Sequence, residues 1–367
     1  MNKKNIYIIL CFLFLLLCCF FTFNYSGKTA SPINVNKILF STTIAPDSNV
    51  LFVDSEYILY SNSDNTSPTE TLYLKNIDNN KIKKIAFEEN YIIHAAIVYN
   101  NTIYVSAYNN TCLKILKIDS NRNISELDCY NSTKPYNPNT ASYFQFYGNT
   151  LIYSFYTDES LWGINYINLD SNEKNNIITF YNQPKVFHLT NKICYSNDLI
   201  CCFFQQDNQG VFAVFSLSGT PIYKYVLPAD YKLYDFDYKN NQIFLSFSVG
   251  EDTLNWKNEI FSLNFSTNSS KSIDIPILIN GDLYREEYPI FSIYAISENF
   301  VIGIDEVFNI FQIKGTPSLT LIPFFEGSFN NEYSISKKII KYNNGFAVYL
   351  PEDGRLQIFV TAPTTKV

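Results

Sequence analysis

The chain has 367 residues, a formal net charge of −7 and 47% hydrophobic residues. This apolar content can form a sizeable core and excludes wholesale disorder. The sequence has no basic run that could neutralise phosphates, which excludes nucleic acid as an expected partner. Aromatic residues make up 17% of the chain, and their abundance favours β-strands over helices.

The N-terminal segment predicts export. A basic leader, MNKKN, precedes the uncharged apolar run IYIILCFLFLLLCCFFTF at residues 6–23. This run is near the lower length limit of a membrane span and longer than the usual core of a signal peptide. Because Lys3 and Lys4 precede it, the positive-inside rule places the N-terminus in the cytoplasm and the rest of the chain outside.

Three processing routes are open for this segment. We expect residues 1–27 to be an uncleaved signal anchor and residues 28–367 to be one domain outside a single-pass cell-membrane helix. A cleaved signal peptide would instead give a secreted protein. A lipoprotein signal at Cys18 or Cys19 is the third route, although the residues before them are not small.

Five cysteines follow the apolar segment, namely Cys112, Cys129, Cys194, Cys201 and Cys202. An odd number argues against a complete disulfide framework, and no Cys/His spacing resembles a zinc site. The first two could face each other across a hairpin, as could Cys194 and Cys201, but facing positions in a tight antiparallel pair often have poor disulfide geometry. We expect free, buried cysteines.

A turn followed by a strand recurs along the chain. In YNNTIYVS, at residues 99–106, two asparagines precede an alternating apolar strand, which predicts a β-hairpin because Asn tolerates a left-handed backbone. The strands of seven such copies are predicted to begin at Tyr57 or Ile58, Ile103, Leu151, Leu199, Ile243, Phe300 and Phe346. The steps of roughly 44 to 57 residues fall in the range of propeller repeats.

A second hairpin motif lies between consecutive copies of the first. Its copies are LYLKNIDNNKIKKI, LKILKIDSNRNISEL, INYINLDSNEKNNIITF, VFAVFSLSGTPIYKYVL, EIFSLNFSTNSSKSIDI and NIFQIKGTPSLTLI. Biased codon usage could supply the asparagines, but it would not alternate two hairpins in one fixed order. Each unit is therefore predicted to have four antiparallel strands, A to D, with the first motif as its A–B turn and the second as its C–D turn. Such a unit is the blade of a β-propeller.

The two chain ends predict how the ring closes. The last unit supplies strands A, B and C but no D, and NKILFST at residues 36–42 belongs to no complete unit. Pairing this segment with the last unit gives an all-β fold, a seven-bladed propeller of four-stranded antiparallel blades, preceded by one N-terminal transmembrane or signal helix. A miscounted unit, giving six or eight blades, would fall in the stretched interval around residues 250–300.

The IYVS and YLKNIDNNKIKKI repeats resemble those of exported bacterial propellers of the TolB-like and YWTD-like (low-density-lipoprotein-receptor-like) kinds. The resemblance spans nearly all of residues 36–360 as architecture and rhythm, and it implies a propeller outside the cytoplasm. No YWTD tetrapeptide, WD dipeptide, kelch di-glycine or Asp-box is present, so the resemblance assigns no single family.

Motifs for known chemistries are missing from the sequence. There is no G-x-S-x-G elbow, no phosphate-binding glycine loop and no H-E-x-x-H, and we predict no catalytic residue, metal site or cofactor. His94 and His188 fall in predicted A strands of different blades, where we expect structural roles. Asp235 and Asp237 alternate onto one face of an A strand and could hold a cation near the axis, although we expect a solvated pair.

The D–A and B–C connections open on one face of the ring, which we call the acidic face because it carries more than half of the chain's 34 acidic residues. A solvated surface is the simple explanation, and an electronegative binding face is the sharper hypothesis. An exposed Trp beside carboxylates could also stack on a sugar or a cation. The candidate ligand-binding residues are Asp158, Glu159, Trp162, Asp252, Trp256, Glu286, Glu287, Asp305 and Glu306.

We therefore expect a non-enzymatic binding or interaction module anchored in the membrane through residues 6–23. Its partner, a protein or a cationic or polysaccharide ligand, would contact the acidic face. The alternative is a glycan-active propeller enzyme, which needs two carboxylates about 5 to 10 Å apart, and the sequence singles out no such pair. An accessory part of an envelope or sporulation assembly is a third reading.

Overall fold

A computed structural model describes these parts of the chain: 38–63, 70–131, 144–157, 161–181, 193–196, 198–206, 209–250, 256–264, 269–274, 278–279, 282–283, 290–297, 300–305, 310–314, 320–323, 338–342 and 345–360. The regular elements in these parts are all β-strands. None of them contains a helix of the length and apolarity that a bilayer crossing requires. The expected N-terminal helix, at residues 6–23, lies outside the described residues.

Strands β2 to β21 form five antiparallel four-stranded sheets in unbroken chain order, and each sheet is a simple meander. The strands of these five sheets are β2 (Asn49–Val53), β3 (Tyr57–Ser63), β4 (Glu70–Asn76), β5 (Ile82–Ile85), β6 (Ile92–Tyr99), β7 (Thr102–Tyr108), β8 (Cys112–Ile118), β9 (Ile124–Asn131), β10 (Phe144–Tyr147), β11 (Thr150–Tyr156), β12 (Leu161–Asn168), β13 (Lys174–Tyr181), β14 (Ile193–Ser196), β15 (Leu199–Gln206), β16 (Gln209–Ser216), β17 (Pro221–Val226), β18 (Tyr231–Lys239), β19 (Gln242–Val249), β20 (Trp256–Asn264) and β21 (Ser269–Asp274).

The remaining strands form three further sheets. A two-stranded sheet of β22 and β23 is followed by a four-stranded sheet of β24 to β27, and β28 to β30 form a four-stranded sheet with β1. These strands are β1 (Ile38–Thr43), β22 (Leu278–Ile279), β23 (Asp282–Leu283), β24 (Ile290–Ser297), β25 (Phe300–Asp305), β26 (Ile310–Lys314), β27 (Thr320–Pro323), β28 (Lys338–Tyr342), β29 (Gly345–Leu350) and β30 (Arg355–Val360).

This arrangement corrects the expected run of seven uniform blades. The uninterrupted series contains five blades rather than seven, because the hairpin of β22 and β23 breaks the repeat after β21. The break lies in the stretched interval around residues 250–300. Motif spacing did not reveal it, since spacing registers only how far apart two turns lie and not whether an extra hairpin lies between them.

The predicted pairing of the two chain ends is confirmed. Strand β1 runs antiparallel to β30, with Ser41 opposite Gln357 and Thr43 opposite Arg355. Just beyond this pairing, the backbone N–H of Ile44 donates to the carbonyl of Gly354 over 2.9 Å. The N-terminal strand therefore supplies the D strand that the last sheet lacks.

The A–B turns have the backbone that their asparagines predicted. Asn100 and Asn101 have φ angles of 48° and 58°, and Asn240 and Asn241 have φ angles of 47° and 61°. Left-handed residues at both turn positions match the twist of the flanking strands. The B strands consequently begin within one residue of the predicted positions, from β3 to β29.

The core lies between adjacent sheets. B strands such as β7 and β19 are buried along almost their whole length, because each sheet is covered on both faces by its neighbours. Between the first two sheets, Leu59, Leu72, Ile93 and Val105 belong to one apolar cluster. Aromatic and β-branched side chains fill such intersheet faces well, which explains the composition of the chain.

Two lysines connect the first sheet to the sheet that joins the chain ends. The Nζ of Lys75, on the first sheet, donates to Oγ1 of Thr42 over 2.5 Å, and the Nζ of Lys338, on β28, donates to Oδ1 of Asn49 over 2.7 Å. Burial lowers the pKa of both ammonium groups. These contacts satisfy charged donors where the ring closes.

The five cysteines outside the N-terminal segment form no disulfides in the described part of the chain. Cys112, Cys194, Cys201 and Cys202 are buried, as expected, whereas Cys129 is exposed. Cys194 and Cys201 lie directly opposite each other on β14 and β15, so the predicted facing positions are confirmed for that pair.

Candidate functional site

A channel of about 550 Å³ runs along the axis of the ring. The A strand of each four-stranded sheet contributes to its wall. The wall includes Leu51, Phe52, Ala96, Ile97, Val98, Tyr99, Phe144, Gln145, Phe146, Cys194, Asp237, Tyr238, Lys239, Ala295, Ile296, Ile340 and Lys341. Residues of the A–B turns, such as Asp54 and Gly148, also line it. The channel therefore lies towards the A–B turn face, opposite the acidic face.

One wall of the channel is aromatic. The rings of Tyr99 and Phe146 stack with their centroids 4.1 Å apart and their planes 8° apart. The Tyr99 hydroxyl donates to Oδ1 of Asn149 over 2.7 Å, which fixes the orientation of the ring. Both side chains are only partly buried, so they offer a flat apolar surface to a ligand.

Asp235 and Asp237 connect two neighbouring sheets. Their Oδ2 atoms accept the backbone N–H groups of Ile293 and Ala295 on β24, over 2.7 and 2.6 Å. Strand β24 is the innermost strand of its sheet, so these N–H groups point away from β25 and need another acceptor. Asp235 is 7% exposed and Asp237 is fully buried; the expectation of a solvated pair was therefore wrong.

Two lysines lie beside Asp237 in the channel. The Nζ of Lys341 is 2.5 Å from Oδ2 of Asp237. Lys239 is half-buried, and its pKa is lowered first by burial and then by the positive charge of Lys341, while Asp237 acts in the opposite direction. Lys341 therefore forms an ion pair with this buried carboxylate, whereas Lys239 feels its charge without forming an ion pair with it.

Among the described residues of the wall, Asp54 carries the second carboxylate, which accepts hydrogen bonds from its own turn. Oδ1 of Asp54 accepts the backbone N–H groups of Glu56 and Tyr57 over 2.7 and 2.6 Å, which caps the turn between β2 and β3. Its carboxylate stabilises that turn. Asp54 is therefore held by its own hairpin rather than by the two lysines.

His94 lies on β6, the A strand of the second sheet, as predicted. Its ring stacks on Tyr108 with the centroids 6.3 Å apart, and both ring nitrogens are shielded from solvent. Burial lowers the pKa of the imidazole to about 3, because a charged ring would lose its hydration. These contacts indicate a structural, neutral histidine. His188 lies outside the described residues.

The nine candidate residues on the acidic face remain predictions. The backbones of Trp162, Trp256 and Asp305 lie at the ends of β12, β20 and β25, but their side chains are outside the described part. Asp158, Glu159, Asp252, Glu286, Glu287 and Glu306 lie outside the described residues altogether.

A described carboxylate of the acidic face takes part in a local network. Glu89 precedes β6, and its Oε2 accepts hydrogen bonds from Nδ2 of Asn109 over 2.6 Å and from the Tyr91 hydroxyl over 2.9 Å. Lys114 lies 3.4 Å from the same oxygen. The hydrogen bond from Asn109 is the main reason why the pKa of Glu89 is lowered. This acid stabilises the second sheet.

Lys239 and Lys341 were not predicted from the sequence as site residues. Both occur just before an A–B turn, in YKNN at 238–241 and KYNN at 341–344. Their position at the inner end of an A strand was the available signal, but a lysine beside a polar turn is ordinary. In the parts that the structure describes, no group of three or more His, Cys, Asp or Glu residues could hold a metal ion.

No protein-family model and no curated protein matches the chain. Among solved structures, polysaccharide lyase Uly1 is 10% identical with a TM-score of 0.54, covering 91% of this chain and 95% of that one. An oligogalacturonate lyase in complex with manganese is 8% identical with a TM-score of 0.52, covering 89% and 91%.

A structure from a study of two prolyl endopeptidases is 9% identical with a TM-score of 0.55. It covers 88% of this chain, which spans about half, 51%, of that protein's length. At such low identities, the three similarities show the fold alone. The chain is therefore a β-propeller, as the sequence resemblance implied, and no family is assigned to it.

Proposed function

We propose that this chain is a non-enzymatic binding module that lies outside the cell membrane, is anchored through residues 6–23, and binds its ligand in the axial channel. The observation that carries the proposal is the channel itself. Its volume of about 550 Å³ is typical of small-molecule sites, which combine apolar walls with a few polar groups. Every four-stranded sheet contributes residues to its wall.

The polar groups of the channel favour binding over catalysis. Oδ2 of Asp237 already accepts the N–H of Ala295 and the ammonium of Lys341, and Oδ1 accepts the N–H of Tyr238 over 2.9 Å. A carboxylate with this many donors is poorly placed to transfer a proton to a substrate. The arrangement supports a fixed recognition surface.

A saccharide is the first ligand class to test. The partly buried rings of Tyr99 and Phe146 offer a stacking surface, and a polysaccharide ligand was among the expectations from sequence. Two of the solved structures with a similar fold are named as lyases of oligogalacturonate or polysaccharide. Their fold similarity is the reason for testing saccharides first.

The test is a ligand-observed NMR screen of the full-length protein in detergent against neutral and acidic saccharides. A Gln145→Trp variant would fill the channel, since Gln145 is an exposed wall residue of β10. Tyr147→Trp, at an exposed position of the same strand, is the matched control. We expect to find ligands that bind to the wild type and to Tyr147→Trp but do not bind to Gln145→Trp. Ligands insensitive to Gln145→Trp, or cleavage of a bound saccharide, would contradict the proposal.

A further inference from the structure

We propose that the channel holds an anionic group of its ligand, a carboxylate or a phosphate, between the ammonium groups of Lys239 and Lys341. This inference rests on the proposed function and names the ligand chemistry of the same site. The two lysines come from β18 and β28, strands of different sheets, and both line the channel. The anion would lie on the channel side of the pair, opposite Asp237.

The arrangement of charge supports this assignment. Asp237 can offset one ammonium group, and Lys341 already forms that ion pair over 2.5 Å. Within the described part of the chain, Lys239 forms no ion pair, and Asp54 is held by its own turn. The ammonium group of Lys239 therefore lines the channel without an ion-pair partner among the described residues. Burial and then the repulsion from Lys341 lower its pKa, while Asp237 acts in the opposite direction.

A bound anion would give Lys239 an ion-pair partner. It would accept charge-assisted hydrogen bonds from both ammonium groups, which are stronger than neutral ones. The partly buried position of Lys239 strengthens such bonds because water screens them less than on an open surface. The aromatic pair of Tyr99 and Phe146 lines the same channel, so a ligand with a ring and an acidic substituent can use both features.

The positions of the lysines also argue against a purely structural role. A lysine that only stabilises a seam donates to backbone or side-chain oxygens of the neighbouring sheet, as Lys338 does with Asn49 and the carbonyl of Val50. Lys239 makes no such contact in the described part of the chain. Its ammonium group is therefore available to a ligand.

The experiment compares three matched probes, D-glucose, D-glucuronate and D-glucose 6-phosphate, by NMR titration and calorimetry with the full-length protein in detergent. The two anions differ from glucose by the charged group, and the comparison between them separates a carboxylate from a phosphate. We expect at least one anion to bind roughly tenfold or more tightly than glucose, since hydrogen bonds to charged groups are the stronger kind.

The variants are Lys239→Gln and the control Lys232→Gln, which removes the same charge from an exposed position of the same strand. Lys239→Gln is preferred to a change at Lys341 because it breaks no ion pair. We expect Lys239→Gln to reduce anion affinity to that of glucose and Lys232→Gln to leave it unchanged.

Four results would overturn the inference. Anion binding that Lys239→Gln and Lys232→Gln affect equally would place the anion elsewhere. Equal affinity for glucose and both anions would rule out the anion site. So would a neutral saccharide that binds in the channel when neither anion binds. Both results would leave the proposed function standing. If no ligand of either screen depends on the channel, both proposals fail.

Discussion

The ammonium group of Lys341 lies 2.5 Å from Oδ2 of Asp237, and this contact joins two sheets that are not neighbours in the chain. Asp237 lies on β18 and Lys341 on β28, with the sheet of β24 to β27 between them in sequence. The same oxygen accepts the N–H of Ala295 on β24. One buried carboxylate therefore connects three sheets around the axis.

Replacing Lys341 alone should lower the free energy of unfolding more than replacing Lys341 and Asp237 together. Lys341→Met leaves a buried carboxylate without its ion-pair partner, which costs about 3–5 kcal/mol in a dry interior. Because the Lys341 side chain is 38% exposed, water can replace part of its effect, and we expect a loss of about 1–3 kcal/mol in the free energy of unfolding. The double variant with Asp237→Asn should be more stable than Lys341→Met alone.

Urea unfolding of the wild type, both single variants and the double variant provides a double-mutant cycle. A change in stability that is simply additive would show that the two groups do not interact in the folded protein, contrary to the observed geometry. The position of the urea midpoint at constant slope is the quantity to compare.

Gly354 should be required for joining the chain ends. It has a φ angle of +70°, and a Cβ added there would lie 2.1 Å from the carbonyl oxygen of Ile44. We expect Gly354→Ala to lower the free energy of unfolding by more than the roughly 1–2 kcal/mol that a left-handed alanine costs by itself, because the backbone of Ile44 must also move.

Gly250→Ala is the matched control for this prediction. Gly250 has a φ angle of +80° with no atom within 4 Å of the added Cβ, so only the backbone cost applies. Thermal and urea unfolding of both variants should show the larger loss at Gly354. Equal losses would mean that the contact with Ile44 adds nothing.

His94 should make the stability depend on pH. Its pKa is lowered from 6.5 to about 3 by burial, so below pH 6.5 the unfolded chain takes up a proton that the folded protein does not. Stability is then complete above pH 6.5 and falls as the pH drops towards 3, with a slope that approaches about 1.4 kcal/mol per pH unit. Because carboxylates also make the stability depend on pH, the contribution of His94 is obtained by comparing the wild type with a variant that lacks the imidazole.

His94→Phe keeps a ring beside Tyr108 and removes the titration. Urea unfolding of the wild type and His94→Phe between pH 4.5 and 7.5 should show a shallower pH slope for the variant below pH 6.5 and parallel curves above it. Identical slopes throughout would indicate that the imidazole takes up its proton in the folded protein as well.

The acidic face provides a separate prediction about a partner. We expect a variant with Glu286→Gln, Glu287→Gln, Asp305→Asn and Glu306→Gln to lose a cationic partner, because an electronegative surface attracts positive charge over several ångströms. The measurement is binding of a lysine-rich peptide to the full-length protein at low and at physiological ionic strength, where screening weakens such contacts.

The control neutralises four acidic residues in turns of the opposite face, namely Glu56, Asp78, Asp170 and Glu173. It changes the net charge by the same amount. If the two variants weaken peptide binding equally, the attraction comes from the net charge of the chain and the acidic face has no special role.

Local chemistry allowed much of the fold to be predicted. Asn100 and Asn101 adopt left-handed φ angles because an asparagine side chain tolerates them at little cost, and this preference acts within a few residues. The alternation of two hairpins then predicted four-stranded sheets and the pairing of β1 with β30. The extra hairpin of β22 and β23 was not predicted because it is only a few residues long.

The site was predicted less well for a physical reason. Asp235 and Asp237 were recognised as neighbours of the axis, but their burial depends on β24, whose N–H groups they bind. Nothing near either residue in sequence shows that those donors exist. Lys239 and Lys341 were missed because a lysine before a turn is usually exposed to solvent.

The sequence by itself determined the hairpins, the four-stranded units and the strand that each chain end would supply, because turn propensity and strand periodicity act over short distances. Only the tertiary structure decided which charges meet in the axial channel. Lys341 reaches Asp237 across 104 positions of the chain, and this proximity depends on how the ring brings its innermost strands together. Contacts across the axis are consequences of closure, which no local pattern encodes.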